Sequence, residues 1–228
     1  MRPVRGYGRR SIFVNRRAAL ALITLWLALP GAMSNVHVAK AGTPTNILAF
    51  GDSLTAGFGV TPSDAFPTQL ASRLKADGYD VEIANAGVSG DTTSGGLARL
   101  DWALAAHPDI VLLELGANDM LRGTDPALAK KNLDAMLARM TAAHIRVLLI
   151  GMKAPRNWGD EYKKAFDGIY PALAAKYKIP FYPFFLDGVA LDMKLNQADG
   201  LHPNKAGVAV IVARIAPLVE RMLGKQAG

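Results

Sequence analysis

Residues 47–57 read Ile47-Leu48-Ala49-Phe50-Gly51-Asp52-Ser53-Leu54-Thr55-Ala56-Gly57. An apolar run breaks at a glycine and gives way at once to an acid, a serine and small residues. The run has the length and flanking punctuation of a buried β-strand. A serine at the exit of such a strand stands at a sheet edge, where open α/β folds place their ligands. A helix starting there would add free N–H groups and a positive dipole end. Two readings stay open on this stretch alone. Asp52-Ser53 is either a helix cap, for which both residue types are favoured, or the seat of a nucleophile.

Working outward, the same alternation recurs. Residues 46–50, 81–84, 110–115, 147–150 and a stretch from 181 read as strands. The segment Ile110-Val111-Leu112-Leu113-Glu114-Leu115 is nearly all apolar, as expected of a central parallel strand covered on both faces. Residues 66–76 and 93–106 carry leucines at helical spacing and end at Gly78 and His107-Pro108. Asp125-Pro126 opens a further helix, with Leu128, Leu133, Met136, Leu137 and Met140 as its expected inner face. Residues 162–177 read as helical with a break or kink at Pro171, and 203–223 as the last helix. Strands alternating with helices make right-handed βαβ units. The expectation is one three-layer α/β/α domain with five parallel strands. Polar turns follow the strands at Asp52-Ser53, at 85–91, at 116–119 and at 196–202, so they can meet on one edge of the sheet.

The 228 residues suffice for one domain with a real core. The net charge of +7 would suit a nucleic-acid binder, but its distribution does not. Residues 1–41 hold seven basic residues and no acid, which leaves nineteen of each sign for 42–228. Within that leader, a basic stretch precedes the apolar run 18–29, then Pro30-Gly31, then Ala39-Lys40-Ala41. This is the layout of a secretory signal peptide with a small-x-small cleavage site. The run is shorter than the ~20 residues of a spanning helix. The expected organisation is a signal peptide at 1–41 and a mature domain at 42–228, periplasmic or secreted. An uncleaved N-terminal anchor is the alternative. Arg9-Arg10 fits twin-arginine export or simply a basic segment. Without cysteine there is no disulfide or thiolate metal site.

Near the C-terminus stands Asp199-Gly200-Leu201-His202-Pro203. An acid and a histidine three apart in a constrained loop can face the same way. The carboxylate could take the Nδ1 proton of His202 and leave Nε2 as a base for Ser53. Each piece has an ordinary alternative. Asp199 can be a loop residue, His202 a helix-start residue, and Asn118-Asp119 a turn pair that bonds its own backbone. His107 and His144 fall at element boundaries and read as ordinary boundary residues. The coincidence of four polar segments at one edge favours the functional reading.

Gly51-Asp52-Ser53-Leu54 resembles the motif that names the GDSL esterases and lipases, also called SGNH hydrolases. The family's four blocks occur here in order. By that resemblance Ser53 matches the nucleophile and Gly90 the glycine whose N–H joins the oxyanion hole. Asn118 matches the asparagine that completes it, and Asp199 and His202 match the D-x-x-H pair. The likeness covers nearly all of residues 46–222. Within the family, 90–93, 96–100, 114–123 and 169–171 look most like the periplasmic thioesterase, lysophospholipase and arylesterase branch. Ala117 stands where the family often has a second glycine.

The resemblance implies a flavodoxin-like SGNH-hydrolase fold and a serine hydrolase of carboxylic esters and thioesters, working through an acyl-enzyme. It implies no metal and no cofactor; the charge distribution speaks against nucleic acid, and no stable membrane insertion is expected once the leader is removed. The partner is a small-molecule acyl ester or thioester. Met120, Leu121, Pro155 and Trp158 are the expected substrate contacts, with Phe184 reading equally as core. Two other classes stay open: a carbohydrate acetylesterase of the same fold, and a non-catalytic secreted binding domain.

Overall fold

The computed structural model describes residues 43–224. The expected leader, 1–41, lies outside the described residues.

Strand β1 (Thr45–Gly51) pairs with β2 (Val81–Gly87) on one side and β3 (Ile110–Glu114) on the other. Beyond β3 come β4 (Arg146–Ile150) and β5 (Phe181–Tyr182), and every pairing is parallel. The order is β2-β1-β3-β4-β5. The chain therefore leaves β1 toward one side and returns across it to β3. Ligands of open α/β sheets collect in the crevice at such a reversal, outside the strands' carboxyl ends.

The connecting helices are α1 (Ser53–Ala56), α2 (Phe66–Ala76), α3 (Thr93–Leu104), α4 (Ala117–Leu121) and α5 (Pro126–Ala142). The remainder are α6 (Asp160–Asp167), α7 (Ile169–Tyr177) and α8 (Lys205–Leu223). α2 packs against α8, while α3 packs against α5 and α5 against α7. Two helix layers enclose the sheet, which is why Ile47–Phe50 and all of β3 are buried. Truncating a side chain such as Leu113 there should cost roughly 2–5 kcal/mol.

The expected elements are present, with shifts that have local causes. β2 runs on to Gly87, where a turn was expected from Asn85, because its ladder follows β1 as far as the Gly51–Gly87 pair. Leu128 is exposed; Ala129, one position along α5, takes the inward place of that turn. The break expected at Pro171 falls at Gly168, between α6 and α7. Proline has no N–H for the carbonyl four residues back, so the interruption lands on the preceding turn. The last helix starts at Lys205 rather than Pro203. Asn204 caps it by accepting from the N–H groups of Ala206 and Gly207 at 3.0 and 3.1 Å.

Candidate active site

Ser53 is the first residue of α1, and its neighbour Asp52 is the cap, accepting from Leu54 N at 2.9 Å. The cap and the serine are thus both present, one residue apart. Gly51 lets the turn close: a Cβ there would strike Thr55 Oγ1 and the Glu114 side chain.

His202 reaches this turn from a loop fixed at several points. Gln197 N donates to His202 O at 2.8 Å, and Asn204 N to Leu195 O at 2.9 Å. The Gln197 amide donates to Phe58 O at 2.7 Å and Pro203 O at 3.0 Å, tying the loop to the chain after α1. At its tip, Asp199 Oδ1 accepts from the backbone N–H groups of Leu201 and His202 at 2.9 and 3.0 Å. Asp199 Oδ2 lies 2.6 Å from His202 Nδ1, and His202 Nε2 lies 2.9 Å from Ser53 Oγ. The backbone N–H of His202, then its ring and the N–H of Leu201, hold the Asp199 carboxyl down at about 2. That carboxylate stays ionised and selects the tautomer with hydrogen on Nδ1, leaving the Nε2 lone pair facing Ser53 Oγ. The Phe58 ring packs against the imidazole with centroids 4.7 Å apart.

The loops after β2 and β3 face each other across the same point. Gly90 has φ +84, a left-handed conformation that glycine adopts without a Cβ penalty. Among the described residues, the N–H groups of Ser53 and Gly90 donate to no protein acceptor. Three successive links stitch the loops together. Asn118 Nδ2 donates to Asp91 O at 2.9 Å. Asp119 accepts from Thr93 N and Oγ1 at 2.7 and 2.6 Å. Arg122 donates to Gly90 O at 3.0 Å. Arg99 joins this loop to β1, donating to Asp91 Oδ2 at 2.6 Å and to Gly51 O at 2.9 Å, over the Phe50 ring. Asn118-Asp119 is therefore no self-contained turn pair, since both side chains reach another loop.

A cleft of about 290 Å³ opens here, lined by Ser53, Gly90, Asn118 and His202. Its apolar wall is Leu54, Phe58, Met120, Leu121, Met152, Leu186 and Leu201. Of the expected substrate contacts, Met120 and Leu121 line it, while Pro155 and Trp158 do not. Trp158 packs against Tyr162 with ring centroids 5.4 Å apart and covers Gly123, supporting the turn after α4 from outside. Phe184 is also outside the wall, beneath the Lys153 ammonium. The sequence reading missed Phe58, Met152 and Leu186. Met152 and Phe58 lie in the turns just past β4 and α1, so distance from the strand exit was the available signal. Among the described residues, no group of three or more His, Cys, Asp or Glu side chains could hold a metal ion.

Comparison with known proteins agrees with this architecture. The model of the GDSL-like Lipase/Acylhydrolase family matches residues 49–210. Esterase TesA of Pseudomonas aeruginosa is 39% identical over 198 residues, covering 86% of this chain and 98% of that protein. Thioesterase 1/protease 1/lysophospholipase L1 of Escherichia coli is 40% identical over 167 residues, covering 73% of this chain and 79% of that protein. A crystal structure of TesA superposes with a TM-score of 0.74 at 40% identity, covering 78% of this chain and 99% of that one. With its SGNH-type sheet and these relatives, the chain belongs to the GDSL-like lipase/acylhydrolase family and is a carboxylic ester hydrolase.

Proposed function

We propose that Ser53, His202 and Asp199 form the catalytic triad of an esterase and thioesterase acting on apolar acyl or aryl substrates. The observation that carries this reading is the hydrogen-bonded line Ser53 Oγ–His202 Nε2–His202 Nδ1–Asp199 Oδ2, at 2.9 and 2.6 Å, opening into an apolar cleft. As Ser53 Oγ attacks the acyl carbon, its proton passes to His202 Nε2, and the ionised Asp199 steadies the imidazolium. The tetrahedral oxyanion is met by the N–H groups of Ser53 and Gly90 and by Asn118 Nδ2. Collapse expels the alcohol or thiol, which takes the proton from His202. Water then repeats the sequence on the acyl-serine. The acyl group lies against Met120, Leu121, Met152 and Leu186. In this reading residues 1–41 direct export, and the domain works in the periplasm or outside the cell.

Hydrolysis of p-nitrophenyl acetate, butyrate, octanoate and palmitate and of an acyl-CoA, by residues 42–228 and by Ser53→Ala, tests it. Turnover should fall by ~10⁴-fold or more in the variant, as for other triad nucleophiles. Equal turnover by folded Ser53→Ala would overturn the assignment. A preference for acetyl with rejection of octanoyl would favour the carbohydrate acetylesterase class. Failure of a serine-directed phosphonate to label Ser53 would favour a non-catalytic domain.

A further inference from the structure

Beneath the nucleophile lies a pair of acids that the triad chemistry does not use. Asp52 and Glu114 are both buried. Glu114 Oε2 accepts from Thr55 Oγ1 at 2.7 Å and faces Asp52 N at 3.3 Å. Among the described residues, Glu114 Oε1 meets no hydrogen-bond partner. Burial, and then the proximity of Asp52, push the Glu114 carboxyl well above its usual range. Burial raises Asp52 to about 6, against the lowering hydrogen bond from Leu54 N, the field of His202 and the bond from Asn118. With that value Asp52 is mostly ionised at neutral pH.

Asp52 Oδ1 serves the cap, and Oδ2 accepts from Asn118 Nδ2 at 3.2 Å. The other Asn118 proton goes to Asp91 O at 2.9 Å. Both acceptors demand the nitrogen end of the amide. A flipped amide would turn its carbonyl oxygen toward them and toward any oxyanion in the cleft. Both N–H groups are also occupied at rest, and the contact with Asp52 is the longer one. It is the one an oxyanion can take over.

Resting on the oxyanion role of Asn118 given above, we propose that Asp52 is a positioning residue. Its carboxylate, with Glu114 behind it, orients the Asn118 amide at rest and yields one N–H to the oxyanion as the tetrahedral intermediate forms. The charged and titratable groups around Asp52 are Glu114 on β3, His202 before α8 and Asp91 after β2. Arg99 on α3 holds the adjacent Gly51 carbonyl, and Tyr170 on α7 donates to Leu115 O at 2.9 Å.

A double-mutant cycle on kcat tests this. Asp52→Asn supplies one oxygen for two facing donors. Asp52→Ser keeps a cap acceptor for Leu54 N but is too short to reach Asn118. In otherwise native protein, each should lower kcat by about 10- to 100-fold, part of the value of an oxyanion donor, with KM little changed. In an Asn118→Ala background the same changes should cost less than about threefold, because residues acting as a unit are not additive. Equal losses in both backgrounds, as expected if Asp52 acts on His202 or only on stability, would overturn the proposal. So would a loss confined to KM, or none. If Asn118→Ala itself loses nothing, the oxyanion assignment fails instead.

A protein that keeps Asp52 gives an independent reading should the Asp52 variants not fold. In a His202→Ala protein, where no imidazole titrates beside it, the Asn118 side-chain amide resonances should still titrate, with a midpoint raised above the ordinary carboxylate range as expected of Asp52. Amide shifts that stay constant once His202 is removed would overturn the proposal.

Discussion

At the amino edge of the sheet, His107 and His144 stand with Asp101, Asp109 and Arg146 around a cavity of about 620 Å³. At the carboxyl edge, His202 stands beside Ser53 in a cleft of about 290 Å³. The larger cavity has histidines, acids and a cation, yet its parts do not converge. His107 and His144 hold left-handed backbones, with φ of 49 and 57, and their N–H groups close the ends of α3 and α5 on Leu104 O and Thr141 O. Neither ring is hydrogen-bonded to an acid among the described residues. His202 instead has a partner on each ring nitrogen and an apolar wall in front of it. Both edges have a cavity with histidine and polar residues, and the amino edge has the larger one. What separates them is convergence, which follows from the reversal of strand order between β1 and β3.

The comparison breaks most sharply through histidine. His202→Ala should lower kcat by ~10⁴-fold or more, the scale of triad losses, while His144→Gly leaves ester hydrolysis unchanged. Comparable losses in the two would mean that the amino edge takes part. Asp199→Asn should come next, at ~10³- to 10⁴-fold in kcat, because an amide no longer enforces the Nδ1–H tautomer. Rates for the purified variant at fixed pH check it. Asn118→Ala should cost ~10²- to 10³-fold with the melting transition intact, as for single oxyanion donors.

Smaller effects concern stability. Asp199 is held at about 2, below its ordinary 3.8, so the native state binds fewer protons than the unfolded chain in that range. Its contribution is complete above about pH 4 and is lost as pH falls through about 2. Melting curves of wild type and Asp199→Asn should therefore converge on acidification from pH 5. Smallest is His144→Gly. It removes a Cβ from a left-handed position and should stabilise the fold by up to about 1 kcal/mol, read by urea unfolding.

Most of the fold and the candidate triad can be read from the chain because each is local. β3 is an unbroken apolar run, and Ser53, Asn118 and Asp199-His202 each follow a strand exit or precede a helix in a few residues. What could not be read depends on contacts distant in sequence. No periodicity places Phe58 over His202, and none pairs Asp52 with Asn118 or sends Arg99 to Gly51 O. Trp158 shows the converse error. It is a large apolar residue in a loop at the correct edge, but it faces Tyr162 and Gly123 rather than the cleft. Choosing between those sides requires the path of the 151–159 loop, which composition does not encode.

Ser53 and His202 are 149 residues apart in the chain and 2.9 Å apart in space. The contact closes only after β1, β3 and the loop ahead of α8 are all docked. Under the proposed mechanism, a chain still being synthesised holds the serine in its first strand turn with no base to activate it. On that mechanism the hydrolase would stay silent until the loop ahead of its last helix is in place, and the onset of turnover would report completion of folding.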